Sequence, residues 1–97
     1  MTIVAHSRPF VIGVDTHAMT RTYAVIDATG QLLGCEQFPT TAQGIARAIA
    51  WIGRRTTGHA EALWVIEGVA TCGARLAHVA AEAGYEVAEG PRMWAKT

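Results

Sequence analysis

PFVIGVDTHAMTRTYAVIDATGQLLGCEQF, residues 9–38, contains three strand-like runs separated by short turns. The first run is apolar from Phe10 to Val14 and ends abruptly in Asp15. The second run, residues 21–27, alternates, with Thr22, Ala24 and Ile26 on one face and Tyr23 and Val25 on the other. Gly30 then stands where a turn favours positive φ, and residues 31–38 return as a third strand. This stretch predicts a three-stranded antiparallel meander.

A helix is predicted after the meander. Thr40 and Gln43 fit a capping box, in which each side chain satisfies a main-chain amide of the first helical turn. Apolar residues then recur at helical spacing, at Ile45, Ala48, Ile49 and Ile52. Residues 54–61 are polar and predict a loop.

The second half of the chain predicts a strand, a helix and a strand. Residues 62–66 are continuously apolar, which is typical of a strand covered on both faces, and the run ends in Glu67. Leu76, Val79, Ala80 and Ala83 form the apolar stripe of a second helix, and Gly84 ends it. Residues 85–89 predict a fifth strand. Because a right-handed crossover joins such strands, we expect this half to be parallel.

Length and composition indicate one small globular domain. The 97 residues are 51% hydrophobic and 16% charged, with no net charge, so a strongly basic nucleic-acid binder is excluded. No apolar run reaches the roughly 18 residues of a membrane span. Cys35 and Cys72 form no CxxC pattern and no secretory signal is visible, so we expect free thiols and a cytoplasmic location.

Asp15 and Glu67 each close an apolar strand at its C-terminal end. If the first and fourth strands are parallel neighbours, both carboxylates converge on the edge of the sheet where α/β proteins place ligands. Two hard oxygen ligands at one place suit Mg²⁺ or Mn²⁺ and two-metal phosphodiester chemistry. The alternative is that each acid caps a helix or anchors a loop.

Three segments resemble a known family: VIGVDTH (residues 11–17) with YAVIDATGQLLG (residues 23–34), WVIEGVATCGARLA (residues 64–77), and PRMWAK (residues 91–96). Together they resemble the N-terminal catalytic domain of DEDD transposases of the insertion-sequence family one hundred and ten. The resemblance implies an α/β, ribonuclease H-like fold with the meander followed by helix, strand, helix and strand. It divides the chain into a leader, residues 1–9, and an incomplete domain, residues 10–97, truncated before its last helix.

The resemblance implies that Asp15 and Glu67 are catalytic metal ligands. In the family, two further aspartates on a later helix complete the site, so we expect the remaining ligands of the Mg²⁺ or Mn²⁺ ions to lie beyond this chain. The chain alone is then expected to be inactive. DNA is the implied substrate, a structured guide RNA an implied partner, and a homo-oligomer the expected assembly, with no membrane contact.

Further residues are candidates for nucleic-acid contact: His17, Arg54, Arg55, Arg92 and Lys96. His17 could steady metal-bound water or a phosphate, or it could be a loop histidine with ordinary hydrogen bonds. Arg54 and Arg55 cluster with Arg47 on the first helix and at its end, either as a phosphate-contacting surface or as a solvated helix face. The tryptophans Trp51, Trp64 and Trp94 are interpreted as packing residues, and Cys72 as structural.

Two rival functions remain open. GVDTHAMTRTYAVID, residues 13–27, also resembles the phosphate loop of sugar-kinase and actin-like ATPases, but the turn at residues 17–19 lacks the glycine that lets amides approach phosphates. The other rival is a non-catalytic remnant that dimerises through an uncovered face of the sheet.

Overall fold

A computed structural model describes residues 9–58, 61–68 and 73–90. The strands and helices, in chain order, are β1 (Phe10–Thr16), β2 (Thr20–Asp27), β3 (Leu32–Pro39), α1 (Ala42–Arg55), β4 (Leu63–Glu67), α2 (Ala74–Glu82) and β5 (Glu86–Gly90). The predicted leader falls outside the described residues except for its last residue, Pro9.

The five strands form one mixed sheet in the order β3-β2-β1-β4-β5. β1, β2 and β3 pair antiparallel, which confirms the predicted meander. β1 pairs parallel with β4, and β4 pairs parallel with β5, as expected of the two crossover connections. The C-terminal ends of β1, β3, β4 and β5 therefore lie at one edge of the sheet, and the first turns of α1 and α2 begin there.

One face of the sheet carries the hydrophobic core. Its large buried side chains from the strands are Ile12, Val14, Tyr23, Val25, Phe38, Trp64 and Ile66. The helices contribute Ile45, Ala48, Trp51, Ile52, Leu76 and Ala80. Tyr23 lies edge-on to Phe38 and to Trp64, with ring centroids 5.7 and 6.3 Å away. The prediction that Trp51 and Trp64 are packing residues is confirmed, whereas Trp94 lies outside the described residues.

The predicted start and end of the first helix were wrong. The N-cap of α1 is Thr41, whose side chain accepts a hydrogen bond from the amide of Gly44 (3.0 Å), so Thr40 and Gln43 do not form the predicted capping box. The helix also continues through Arg55, so Arg54 and Arg55 belong to its last turn and not to a loop. In the described parts of the chain, neither helix is long and apolar enough to cross a membrane.

The second face of the sheet is open in the described part of the chain. Alternation along the strands places Val11, Gly13, Ala24, Ile26 and Val65 there, and none of these residues is fully buried. Leu63 and Glu67 share this face with Val65 and are buried, so the prediction that β4 is covered on both faces is wrong only at Val65, which is partly exposed. The apolar character of β4 alone does not indicate which side is covered.

Candidate functional site

Asp15 and Glu67 lie side by side at the C-terminal edge of the sheet. β1 and β4 are in parallel register, with Val14 opposite Ile66, and each acid is the next residue of its strand. Neighbouring strands are about 4.8 Å apart. Val14 and Ile66 both face the buried core, so alternation directs both carboxylates to the open face. The predicted convergence of these two strand ends is confirmed.

The two carboxylates differ in their access to solvent. The Asp15 side chain is 30% exposed, and its Oδ2 lies 3.3 Å from Nε2 of His17, whose side chain is 54% exposed. Glu67 is only 6% exposed. The structure thus brings three predicted site residues to one edge, Asp15 and Glu67 at the ends of neighbouring strands and His17 as a direct contact of Asp15. A ligand arriving from solvent meets Asp15 and His17 before Glu67.

The main chain around the two acids is held together by short contacts. Thr16 Oγ1 lies 3.4 Å from the carbonyl oxygen of Glu67 and donates to it, which joins the end of β1 to the end of β4. The amide of Gly73 donates a 2.7 Å hydrogen bond to the carbonyl of Gly68. The first turn of α2 therefore begins directly beside Glu67, with the positive end of the helix dipole at the same edge.

An open concavity of about 420 Å³ adjoins Asp15 on the uncovered face of the sheet. Its lining consists of Val11, Gly13, Asp15, Thr22, Ala24, Ile26 and Val65. Asp15 is the charged member of this lining, at the end of an otherwise nearly apolar surface. A polypeptide segment or substrate packed on this face would approach the carboxylate of Asp15 from the side.

Within residues 9–58, 61–68 and 73–90, no group of three or more metal-ligating side chains is close enough to hold an ion. Asp15 and Glu67 are two carboxylates with the oxygen chemistry that Mg²⁺ and Mn²⁺ prefer. They fit part of a metal site, and an ion held by two carboxylates alone keeps most of its waters. The arrangement can orient an ion but cannot enclose it.

The remaining candidates lie away from this edge or outside the described residues. Arg54 and Arg55 occupy the last turn of α1, which begins at the carboxylate edge and runs towards the opposite one. Arg92 and Lys96 fall outside the described residues, as does Cys72. The prediction that basic side chains contact nucleic acid stays a prediction for all four residues.

Arg21 is a residue that the sequence analysis missed. It follows the turn after β1, opposite Thr16, yet only 3% of it is exposed. The signal was present in the alternation of β2, because Arg21 shares a face with Tyr23 and Val25, and the structure buries that face. Burial raises the pKa of Tyr23, and the positive charge of Arg21 partly opposes that increase.

The family model for DEDD transposases of the IS110 type, described as a transposase, matches residues 12–96. A comparison with curated proteins gives no match. The matched range contains Asp15 and Glu67 with most of β1 and all of β4, and it covers nearly all of the 97 residues. This chain therefore belongs to the IS110 family of DEDD transposases.

Proposed function

We propose that this chain supplies two carboxylates of a divalent-metal site that cleaves and joins DNA during transposition. The supporting observation is the position of Asp15 and Glu67 at the ends of neighbouring parallel strands, in a chain that belongs to a transposase family. The strand order is compatible with a ribonuclease H-like domain, which we propose as the fold. DNA is the proposed substrate and a structured RNA the proposed guide.

Mg²⁺ or Mn²⁺ is the proposed cofactor, held by Asp15, Glu67 and further ligands. When bound, such ions activate the attacking water or hydroxyl group and stabilise the leaving oxygen of a phosphodiester. Rigid strands keep the two carboxylates at a fixed spacing, which lowers the cost of assembling the site. His17, 3.3 Å from Asp15, orients that carboxylate and reaches the solvent side, where a phosphate would enter.

The test of this function is Mg²⁺-dependent DNA cleavage or joining by a transposase that contains this chain together with the remaining ligands. We expect Asp15→Asn to abolish the activity, because the amide loses the negative charge that attracts the ion. Glu82→Gln is the matched control, since Glu82 is an exposed carboxylate in the last turn of α2, away from the carboxylate edge. Full activity in Asp15→Asn, or equal losses in both variants, would contradict the role of Asp15.

A second candidate function is self-association without catalysis, and the open apolar face favours it. Val11, Ala24, Ile26 and Val65 line this face, and exposed apolar surfaces of this kind are typical of interaction sites. We propose that a second copy of the chain packs there when the face is not otherwise covered. Light scattering of the 97-residue chain should then show a dimer that Val65→Lys disrupts and Ala50→Lys, on the exposed side of α1, does not. A monomer at high concentration would contradict this.

The family match favours the transposase over the ATPase alternative. The turn after β1 is closed by a 2.9 Å hydrogen bond from the amide of His17 to the carbonyl of Thr20. This amide is therefore engaged within the turn and does not point towards a ligand, as a phosphate loop would require.

A further inference from the structure

Three exposed arginines lie along one side of α1, next to the edge strand β3. Arg54 and Arg55 follow Arg47 by seven and eight residues, about two turns later, so they flank the line of the helix on which Arg47 lies. At 1.5 Å per residue, they extend over about 12 Å of the helix. We call these three residues the arginine stripe.

Two of the guanidinium groups are supported by aromatic rings. Arg47 Cζ lies 5.8 Å from the ring centroid of Phe38, and Arg55 Cζ lies 5.1 Å from that of Trp51. Gly34 on β3 makes room for this packing, because a Cβ atom there would lie 2.8 Å from Nε of Arg55. Stacked guanidinium groups lose side-chain freedom but keep N–H groups directed outwards.

The arginine stripe has no ion-pair partner among the described residues. Two ion pairs within 4 Å, His17 with Asp15 and His78 with Glu82, lie in the described part of the chain, and neither involves the stripe. Glu36 lies nearby on β3, on the same side as Phe38, and is exposed. A helix that held its arginines only for internal ion pairing would place carboxylates against them, and α1 itself contains no acidic residue.

We propose that the arginine stripe binds the phosphate backbone of a nucleic acid at a surface separate from the carboxylate edge. This inference rests on the proposed function, which makes nucleic acid the polyanion that the protein meets. Arginine forks match phosphate oxygens, and about 12 Å corresponds to three or four phosphates along one strand. α1 covers the face of the sheet opposite to Asp15, so the bound segment is not the one that is cleaved. The stripe holds the nucleic acid while another part of it reacts.

The test is the salt dependence of binding, measured by fluorescence anisotropy with a labelled duplex of about 20 base pairs and with an RNA hairpin of equal charge. Removal of one phosphate-binding side chain should lower the slope of log K against log salt by about 0.9 for duplex DNA. We therefore expect Arg54→Gln to reduce the slope by about that amount. Ala46→Gln, which places the same side chain at an exposed position of α1 without removing a charge, is the control and should leave the slope unchanged.

Further variants separate phosphate binding from a structural role. Arg54 and Arg55 also lie where positive charge stabilises a helix C-terminus, and that role alone predicts weaker folding with unchanged nucleic-acid affinity. Arg54→Lys keeps the charge and should keep the slope. Glu36→Gln removes a neighbouring negative charge and should tighten binding, a change opposite in sign to that of Arg54→Gln.

The outcomes distinguish DNA from RNA as the source of the phosphates, and they test the arginine stripe separately from the carboxylate site. Tighter binding of the duplex assigns the surface to DNA, and tighter binding of the hairpin assigns it to RNA. Equal slope changes in Arg54→Gln and Ala46→Gln, or equally strong competition by polyglutamate, would overturn the assignment. Mn²⁺ binding is measured separately in a triple variant with Arg47→Gln, Arg54→Gln and Arg55→Gln. Unchanged Mn²⁺ binding there would show that losing the stripe does not affect the carboxylate site.

Discussion

Gly73 is a residue whose replacement the fold tolerates poorly. A Cβ atom at this position would lie 2.7 Å from both the carbonyl oxygen of Glu67 and Cγ2 of Ile66. The first of these contacts is with main chain at the end of a central strand, which cannot move without displacing the strand. Gly73 therefore sets how closely α2 approaches the main chain of Glu67.

We predict that Gly73→Ala destabilises the protein by about 1–3 kcal/mol, the usual cost of inserting a methyl group into a packed site. Gly53→Ala is the matched control, because a Cβ atom there meets nothing within 4 Å and Gly53 lies inside α1. Removing glycine from a helix stabilises by up to about 1 kcal/mol. Urea unfolding of both variants measures these changes, and equal effects of the two substitutions would refute the crowding at Gly73.

Tyr23 links stability to pH at the alkaline end. Burial raises its pKa, with Arg21 opposing part of the increase, so the folded state favours the neutral phenol. The stability that the buried neutral phenol contributes is fully present below the unfolded pKa of about 10. It is lost as the pH rises above that value and through the folded pKa. We predict that the wild type loses more stability between about pH 9 and pH 11 than Tyr23→Phe does. Parallel loss in the two proteins, in urea unfolding at each pH, would exclude Tyr23 as the cause.

At the level of single residues, the sequence was sufficient to predict where Asp15 and Glu67 lie. Each follows an apolar run directly, and strand alternation then decides the face. The contact between His17 and Asp15 could not be predicted, because it depends on how the turn after β1 folds back. The cation–π contact of Arg55 with Trp51 required knowledge of the helix end, which the sequence analysis placed too early.

Among the elements, α1 shows how a helix start can be mistaken by one residue. Thr40 and Thr41 are adjacent, and both precede helical sequence. The amide of Thr40 donates to the carbonyl of Met19 (3.0 Å), so Thr40 is held in the strand-end pairing and Thr41 is left to cap the helix. This contact is tertiary, which is why local sequence did not reveal it.

We predict that Thr41→Ala destabilises the protein by about 1 kcal/mol, because the amide of Gly44 loses its side-chain acceptor. Thr40→Ala leaves the main-chain bond to Met19 in place and should have a smaller effect. Thermal or urea unfolding of the two single variants decides between the two caps. A larger loss for Thr40→Ala would restore the capping box that the sequence suggested.

For the whole molecule, the sheet has one face with a core and one open face that leads to Asp15. The element order and the resemblance predicted an antiparallel meander followed by a parallel pair of strands. The strand pairing in the structure confirms both. The coverage of each face was not predictable, since the apolar run of β4 suits either a central strand packed on both sides or one with an open side. The same open face leads to Asp15 and leaves Val65 for a further partner.

The most direct test of the central claim is a crystal of this chain soaked in Mn²⁺ and measured for anomalous scattering. Asp15 and Glu67 end neighbouring strands, so their carboxylates should share one ion, with metal–oxygen bonds of about 2 Å. We predict an anomalous peak between these two side chains that is absent from Asp15→Asn and present in Glu82→Gln. Carboxylates that point apart, with no peak between them, would contradict the claim that this edge of the sheet is part of a metal-dependent catalytic site.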